Sequence, residues 1–348
     1  MNPLMDPIVD GHLDLAANAG AGLDFTVDAH TRRANETHRS LLATVSLPDL
    51  RRGGIAVAFA TLFGVPHRRG LNHGVPTDEE TMPPYDTPAE AEEIGLRQLG
   101  LYRSWEDEGR VRIVTTVSEL DRHMEQWSED RLPGLVILME GADPIVEPAD
   151  VHRWHERGLR LIGLSWSGTR YAGGTGSPGP ITEAGEELLA EMATVGMALD
   201  LSHLAQEALP RALEFPGPIC ATHVHPQRLS DTDRQLPDFV LEALAKRDSV
   251  VGLTMVADFL ERGSVQRGNL PTLSDQWASH ARYLAEIVGW SRVGIGSDLD
   301  GGVGAGESPR EIDTVADLRR VAGVVPAEHR SAVLGGNWLS WLRRTLPA

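Results

Sequence analysis

Two residues near the start of the chain, His12 and Asp14, stand at i and i+2 in the apolar run Val9-Asp10-Gly11-His12-Leu13-Asp14-Leu15. If the run is a strand through both, alternate side chains share a face, and an imidazole and a carboxylate become two legs of a metal site. Further histidines and acids close later apolar runs: Glu140 after 135–139, His203 after 197–201, His223 after 218–222 and Asp298 after 292–296. Singly, each has an ordinary explanation. A histidine after a strand serves as a structural hydrogen-bonding residue, and an acid there caps the following helix. Together they place three histidines and three carboxylates at the same ends of successive strands. That donor set suits Zn²⁺, and also Mn²⁺, Fe²⁺ or Co²⁺, with enough ligands for two ions if one carboxylate bridges. Two such ions would lower the pKa of a water held between them and polarise a carbonyl, which is hydrolytic chemistry.

Something must hold those six side chains on one rim. Apolar runs of strand length occur at 7–10, 55–63, 111–115, 135–139, 159–164, 197–201, 218–222, 249–255 and 292–296. Several are continuous hydrophobic stretches, as in parallel strands buried on both faces. Helical patterns lie between them, at 89–107, 182–195, 236–245 and 274–288. Strand followed by helix along the whole chain, with no break in composition, predicts an α/β fold: a single (β/α)₈ TIM barrel spanning 1–348. The run 111–115 is the surplus ninth, since no candidate ligand follows it. Barrel chemistry sits in the loops after the strands. The loop 64–87, rich in Gly, Pro and His, is expected to be a lid, and 167–181 and 257–275 are expected to shape the pocket.

Composition narrows the partners. Lys and Arg total 32 against 50 Asp and Glu, a formal charge of −18, which repels a phosphate backbone and an anionic membrane surface. Neither nucleic acid nor membrane is expected as a partner; a small-molecule substrate is. Lys246 is the only lysine and lies in the polar stretch Ala245-Lys246-Arg247-Asp248, so it reads as surface and not as a Schiff-base residue. Cys220 is the only cysteine and sits in an apolar run, a small core residue, so any metal must be held by His and carboxylate. No basic leader and no membrane-length apolar stretch are visible, and a cytoplasmic location is expected.

The motifs Asp10-Gly11-His12-Leu13-Asp14, Met139-Glu140-Gly141, Asp200-Leu201-Ser202-His203, Thr222-His223, Arg234-Gln235-Leu236-Pro237-Asp238, Gly296-Ser297-Asp298-Leu299-Asp300-Gly301 and Gly335-Gly336-Asn337 carry a resemblance. In order and approximate spacing the chain resembles the membrane (renal) dipeptidase family, peptidase family M19 of the amidohydrolase superfamily, over nearly its whole length. The resemblance implies two Zn²⁺ per chain, one held by His12 and Asp14, the other by His203 and His223, with Glu140 bridging. It implies that Asp298 is the acid/base, taking a proton from the bridging water and delivering it to the leaving amine. It implies that Arg234 binds the substrate's C-terminal carboxylate through its planar donor fork. Without the motif, Arg234 reads as a surface ion pair near Asp231, Asp233 and Asp238. A homodimer is suggested by the family alone.

One position departs from the family. Where a histidine after the fourth barrel strand helps bind substrate, this chain reads Leu164-Ser165-Trp166-Ser167. Trp166 offers a bulky face and an indole donor but cannot change charge near neutral pH. With Trp166 there, the Gly-rich loop 171–180 is expected to serve a different side chain or another amide than the family's ordinary dipeptides. The stretch Gly174-Thr175-Gly176-Ser177-Pro178-Gly179 matches a dinucleotide fingerprint only formally and reads as a plain loop. His225 reads as structural or supporting, and His67 and His73 as unassigned loop histidines. The expected activity is zinc-dependent hydrolysis of dipeptides or dipeptide-like amides. Two other readings stand beside it: a hydrolase of a non-peptide amide, such as an N-acyl amino acid, or of a lactone; and a metal-containing barrel that only binds a ligand, against which the retention of Asp298 argues.

Overall fold

The computed structural model of the chain describes residues 6–35, 43–67, 84–301 and 304–348. Eight parallel strands form a closed ring: β1 (Ile8–Leu13), β2 (Ile55–Phe63), β3 (Gly134–Glu140), β4 (Leu159–Gly163), β5 (Ala198–Asp200), β6 (Ile219–Val224), β7 (Val251–Leu253) and β8 (Val293–Ile295). Each pairs with the next in sequence, and β8 returns to β1. The surplus run survives only as the two-residue strand Arg112–Ile113, laid against the start of β3 outside the ring. Of the expected lid, residues 68–83, and with them His73, lie outside the described residues.

Two apolar layers hold the barrel. Residues at one parity of the strands, such as Ala58, Ala60, Leu62, Ile137 and Met139, pack outward against the helices in the larger core. The other parity, including Val9, Val57, Phe59, Val136, Leu138, Leu161, Ala198 and Cys220, fills the barrel interior. The helix Asn337–Thr345 closes that interior from the strand starts. Its Trp338 ring lies 4.9 Å from that of Phe59, and Trp338 Nε1 donates to the Ile295 carbonyl at 2.9 Å. Parity then explains how the mouth becomes polar. Thr61 follows Val57 and Phe59 on the inward face, and Glu140 follows Val136 and Leu138.

Two strands break this parity at the positions that matter. Against β2, the pairing of β1 advances three residues, Asp10 to Leu13, while β2 advances two, Ala58 to Ala60. Against β7, β6 advances from Ala221 to Val224 while β7 advances from Val251 to Leu253. Each strand thus carries one extra residue, a bulge that re-aims a side chain. Leu13 and Val224 face the outer core, and His12 and His223 turn to the mouth beside it.

Between β4 and β5, strands Ala172–Gly174 and Ser177–Ile181 form an antiparallel hairpin. The stretch expected to be a plain Gly-rich loop is therefore a built element. Its prolines, Pro178 and Pro180, are exposed on a strand of a two-stranded ribbon, an edge position where proline is tolerated.

Candidate metal centre and catalytic site

All six chemistry-bearing residues meet at the C-terminal mouth of the barrel. His12 Nε2 lies 3.7 Å from Asp14 Oδ2, 3.6 Å from Glu140 Oε2 and 4.0 Å from Asp298 Oδ1. Glu140 Oε1 lies 3.2 Å from His203 Nε2 and 3.3 Å from His223 Nε2, and these two nitrogens face each other at 3.1 Å. The groups fall into overlapping sets: His12, Asp14 and Glu140; Glu140, His203 and His223; His12, His223 and Asp298. Glu140 belongs to two of them, with one oxygen toward each.

The route by which His12 and Asp14 converge differs from the expected strand alternation. β1 ends at Leu13, and Asp14 stands past it at the start of the helix Leu15–Gly20. A bulge turns His12 inward, and Asp14 is held from outside the strand. Thr61 Oγ1 donates to Asp14 Oδ1, and Asn18 Nδ2 donates to the Asp14 carbonyl at 3.0 Å and the Asp300 carbonyl at 2.7 Å. Asp300 in turn accepts from Thr44 N at 2.6 Å, Thr44 Oγ1 at 2.5 Å and Val45 N at 3.2 Å.

The other side chains are also braced. Thr222 Oγ1 lies 2.8 Å from His223 Nδ1 and donates to Asp200, whose other oxygen accepts from Thr222 N at 2.9 Å. His203 Nδ1 lies 3.0 Å from Thr175 Oγ1, at the turn of the hairpin. Bracing of the remote ring nitrogen fixes the tautomer and aims Nε2 at the site. Asp200, Thr222 and Asp300 stand inside the motifs quoted above and Thr175 in the stretch read as a plain loop, but sequence reasoning gave none of them a bracing role, and it passed over Thr61 altogether. Asp200, Thr222 and Asp300 lie close in sequence to His203, His223 and Asp298, but the contacts of Thr61 with Asp14, Thr175 with His203 and Asp200 with Thr222 join separate elements and exist only in the closed ring.

Backbone strain gathers here as well. Among the described residues, four non-glycines have positive φ: Arg131 at a helix end, and His203 (64°), Asp298 (59°) and Asp300 (62°) at the site. Such backbones persist where the surroundings over-determine them. Gly301 shows how tight the packing is, since a Cβ there would collide with Asp298 Oδ1 and meet Asp14 Oδ2 at 2.8 Å.

The electrostatics suit a cation. Burial pushes His203 and His223 well below the ordinary imidazole range, with Arg234 and His12 adding to it, so both are neutral. Burial also pulls His12 down, but Glu140 and Asp14 outweigh it and raise the imidazole well above its ordinary value. The Asp298 carboxyl is pushed well up by burial; His12 opposes the rise, and Asp14 and Glu140 add to it. Among the described residues, neither ring nitrogen of His12 has a hydrogen-bond partner, nor has Glu140 Oε1. Buried carboxylates and unpaired imidazole nitrogens at this density are costly unless something positive joins them. One proton can serve one pair of atoms, whereas divalent cations serve the whole set, so the residues present fit a metal centre.

Around this cluster, Arg234 is buried and not a surface ion pair. Its Nη2 donates to the His223 carbonyl at 2.7 Å, while Nε and Nη1 have no hydrogen-bond partner among the described residues. Trp166 is half-buried at the mouth, its ring 6.1 Å from His203 and edge-on to Phe63 at 5.1 Å. His225 points away from the cluster to Thr254 and His280. His67 is exposed beside Asp86, Lys246 is exposed, and Cys220 is buried in the barrel interior.

The family model "Membrane dipeptidase (Peptidase family M19)" matches residues 4–339. The chain belongs to peptidase family M19. As an M19 member it is a metal-dependent hydrolase of the dipeptidase family with a TIM-barrel fold. A Rhodobacter sphaeroides metallopeptidase, solved with a phosphinate mimic of the dipeptide L-Ala-D-Ala, superposes with TM-score 0.78 at 25% identity, covering 97% of this chain and 99% of that one. An M19 dipeptidase called dipeptidase AC has the same fold, with TM-score 0.78 at 24% identity over 98% and 99% of the two chains. Among curated relatives, Dipeptidase aclJ of Aspergillus oryzae is 27% identical over 308 residues, 85% of this chain and 67% of that protein. No helix among the described residues is long and apolar enough to cross a membrane.

Proposed function

We propose that this chain is a zinc-dependent dipeptidase with a two-metal centre. His12 and Asp14 would hold one ion, His203 and His223 the other, and Glu140 would bridge them. The observation that carries this reading is the position of Glu140, with one oxygen facing two histidine nitrogens at 3.2 and 3.3 Å and the other facing His12 at 3.6 Å. Lewis acidity and a lowered pKa for a water at the site are the chemistry such ions supply.

The chain's own groups do the rest. Asp298, 4.0 Å from His12 and raised well above the carboxylate range by burial, is suited to accept a proton from the attacking water and pass it to the leaving amine. Arg234 has two buried donors with no hydrogen-bond partner among the described residues, which suits capture of the substrate's C-terminal carboxylate. The Rhodobacter relative's phosphinate mimic of L-Ala-D-Ala supports a small dipeptide with a free carboxylate, including L-D pairs.

The test is hydrolysis of a dipeptide library, with L-L and L-D members, by metal-reconstituted protein. Cleavage that disappears on chelation and returns with Zn²⁺ supports the proposal. Turnover of N-acyl amino acids or lactones in place of free-amine dipeptides would replace it.

A further inference from the structure

Asp10, in β1, is fully buried, and it is not one of the six clustered side chains. A carboxylate so placed is costly unless its oxygens are taken up. They are taken up chiefly by the segment that carries Asp298. Ser297 N donates to Asp10 Oδ1 at 2.7 Å and Ser297 Oγ to Asp10 Oδ2 at 2.5 Å, and His12 N donates to Oδ1 at 3.3 Å. Asp10 stands in register with Ile295, the last residue of β8, so its carboxylate serves as the acceptor for a chain that has just left the ladder.

Ser297 in turn fixes the residue after it. Its Oγ, having donated to Asp10, accepts from Leu299 N at 3.3 Å, and its carbonyl accepts from Met255 N at 2.8 Å. Asp298, enclosed between Ser297 and Leu299, donates its own N–H to the His12 carbonyl at 3.3 Å and holds φ at 59°. A left-handed backbone of this kind persists where its neighbours impose it. The device recurs across the barrel. Asp200 in β5 accepts from Thr222 N at 2.9 Å and from Thr222 Oγ1, and Thr222 directly precedes His223. Twice, then, a buried acid of one strand holds the N–H and the hydroxyl of the residue just before a clustered side chain on the adjoining strand, β1 beside β8 and β5 beside β6. For His223 the hydroxyl also meets the imidazole; for Asp298 the hold runs through the backbone.

We propose that Asp10, acting through Ser297, is a positioning residue that holds Asp298 in its left-handed backbone and so aims its carboxylate at the reacting groups. This rests on the acid/base reading of Asp298 above. Without that hold the carboxylate samples other orientations, and a displacement of about 1 Å costs up to about a hundredfold in rate. Metal and substrate carboxylate are held by other residues, so the loss falls on kcat and not on KM.

The experiment compares the metal-loaded full chain with Asp10→Asn, Ser297→Ala, Ser297→Thr and Asp298→Asn, and with Ser297→Ala combined with Asp298→Asn, on one cleaved dipeptide. Ser297→Ala and Asp10→Asn should each lower kcat about tenfold or more with KM within about twofold, and Ser297→Thr, which keeps the hydroxyl, should restore it. Metal content and the visible spectrum of the Co²⁺-loaded protein should match the wild type in Ser297→Ala, a readout that a general loosening of the barrel would move. Added to Asp298→Asn, Ser297→Ala should cost nothing further, because it acts through the carboxylate already lost. Wild-type kcat in Ser297→Ala, an altered Co²⁺ spectrum with metal loss, or an undiminished effect in the Asp298→Asn background overturns this inference and leaves the acid/base reading standing. Full turnover by Asp298→Asn, or no turnover of any dipeptide by protein holding two metal ions, overturns both.

Discussion

Asp298 and His203 sit within one cluster yet have different tasks in this account, and single substitutions separate them. Asp298→Asn retains an oxygen of the same shape but cannot carry the proton. It should keep its metal and lose about 10²- to 10⁴-fold in kcat. His203→Ala should lose an equivalent of metal as well, measured by elemental analysis after desalting; equal metal loss in both variants would contradict the division. Arg234 is tested through the substrate. Arg234→Met should lower kcat/KM for free dipeptides about a hundredfold, as expected when a buried charged contact is removed. The loss should vanish for dipeptide amides, which lack the carboxylate; an equal loss on both would point to a structural role. At this scale the sequence was informative, since the six clustered residues are the ones that close its apolar runs. It was misleading about how His12 reaches the site. Alternation pairs His12 with Asp14 on one strand face, whereas the structure uses a bulge in β1 and a residue beyond its end. A bulge is set by contacts with the neighbouring strand and has no local signature.

Among the elements, the hairpin 172–181 is the one the sequence concealed. Two prolines and four glycines within ten residues read as loop, and only the pairing of Ala172 with Ile181 makes it a ribbon. Its turn brings Thr175 to His203, and Gly176 N donates to Asp233 Oδ2 at 2.7 Å, beside Arg234. Thr175→Val should weaken metal binding at the His203 site about tenfold or more, with Thr175→Ser restoring it. A Co²⁺ titration followed by its visible spectrum reports this without relying on turnover, and unchanged affinity in Thr175→Val would remove the hairpin from the metal site. The helix Ala278–Val288 makes a separate prediction. Its His280 is buried against His225, with Nδ1 atoms 3.0 Å apart, and burial pulls its pKa from the ordinary 6.5 to about 4. The fold holds His280 neutral while the unfolded chain protonates it near 6.5. Its contribution is therefore complete above that pH and lost as pH falls toward 4, by about 3 kcal/mol. Urea midpoints between pH 7 and 4 should fall more steeply for the wild type than for His280→Gln, and parallel curves would show that His280 is not the group responsible.

For the whole molecule, the repeating strand-and-helix pattern made the barrel legible, and the missing ligand after 111–115 identified the strand that is not a stave. The plug was not legible. Trp338 and Trp341 lie in a short C-terminal amphipathic helix that could have packed anywhere, and only the closed ring offers the interior they fill. That plug and the bulged strands leave the mouth as the one polar end of an otherwise apolar interior. Six titratable side chains can then be held there with neighbouring polar atoms 3.1 to 4.0 Å apart. The central claim is that one carboxylate, Glu140, serves two metal ions at once. The most direct measurement is metal stoichiometry by equilibrium titration on the wild type and on Glu140→Ala. The account predicts two tightly bound ions per chain in the wild type and the loss of both tight sites in the variant. A single ion in the wild type, or two undiminished in Glu140→Ala, would contradict it.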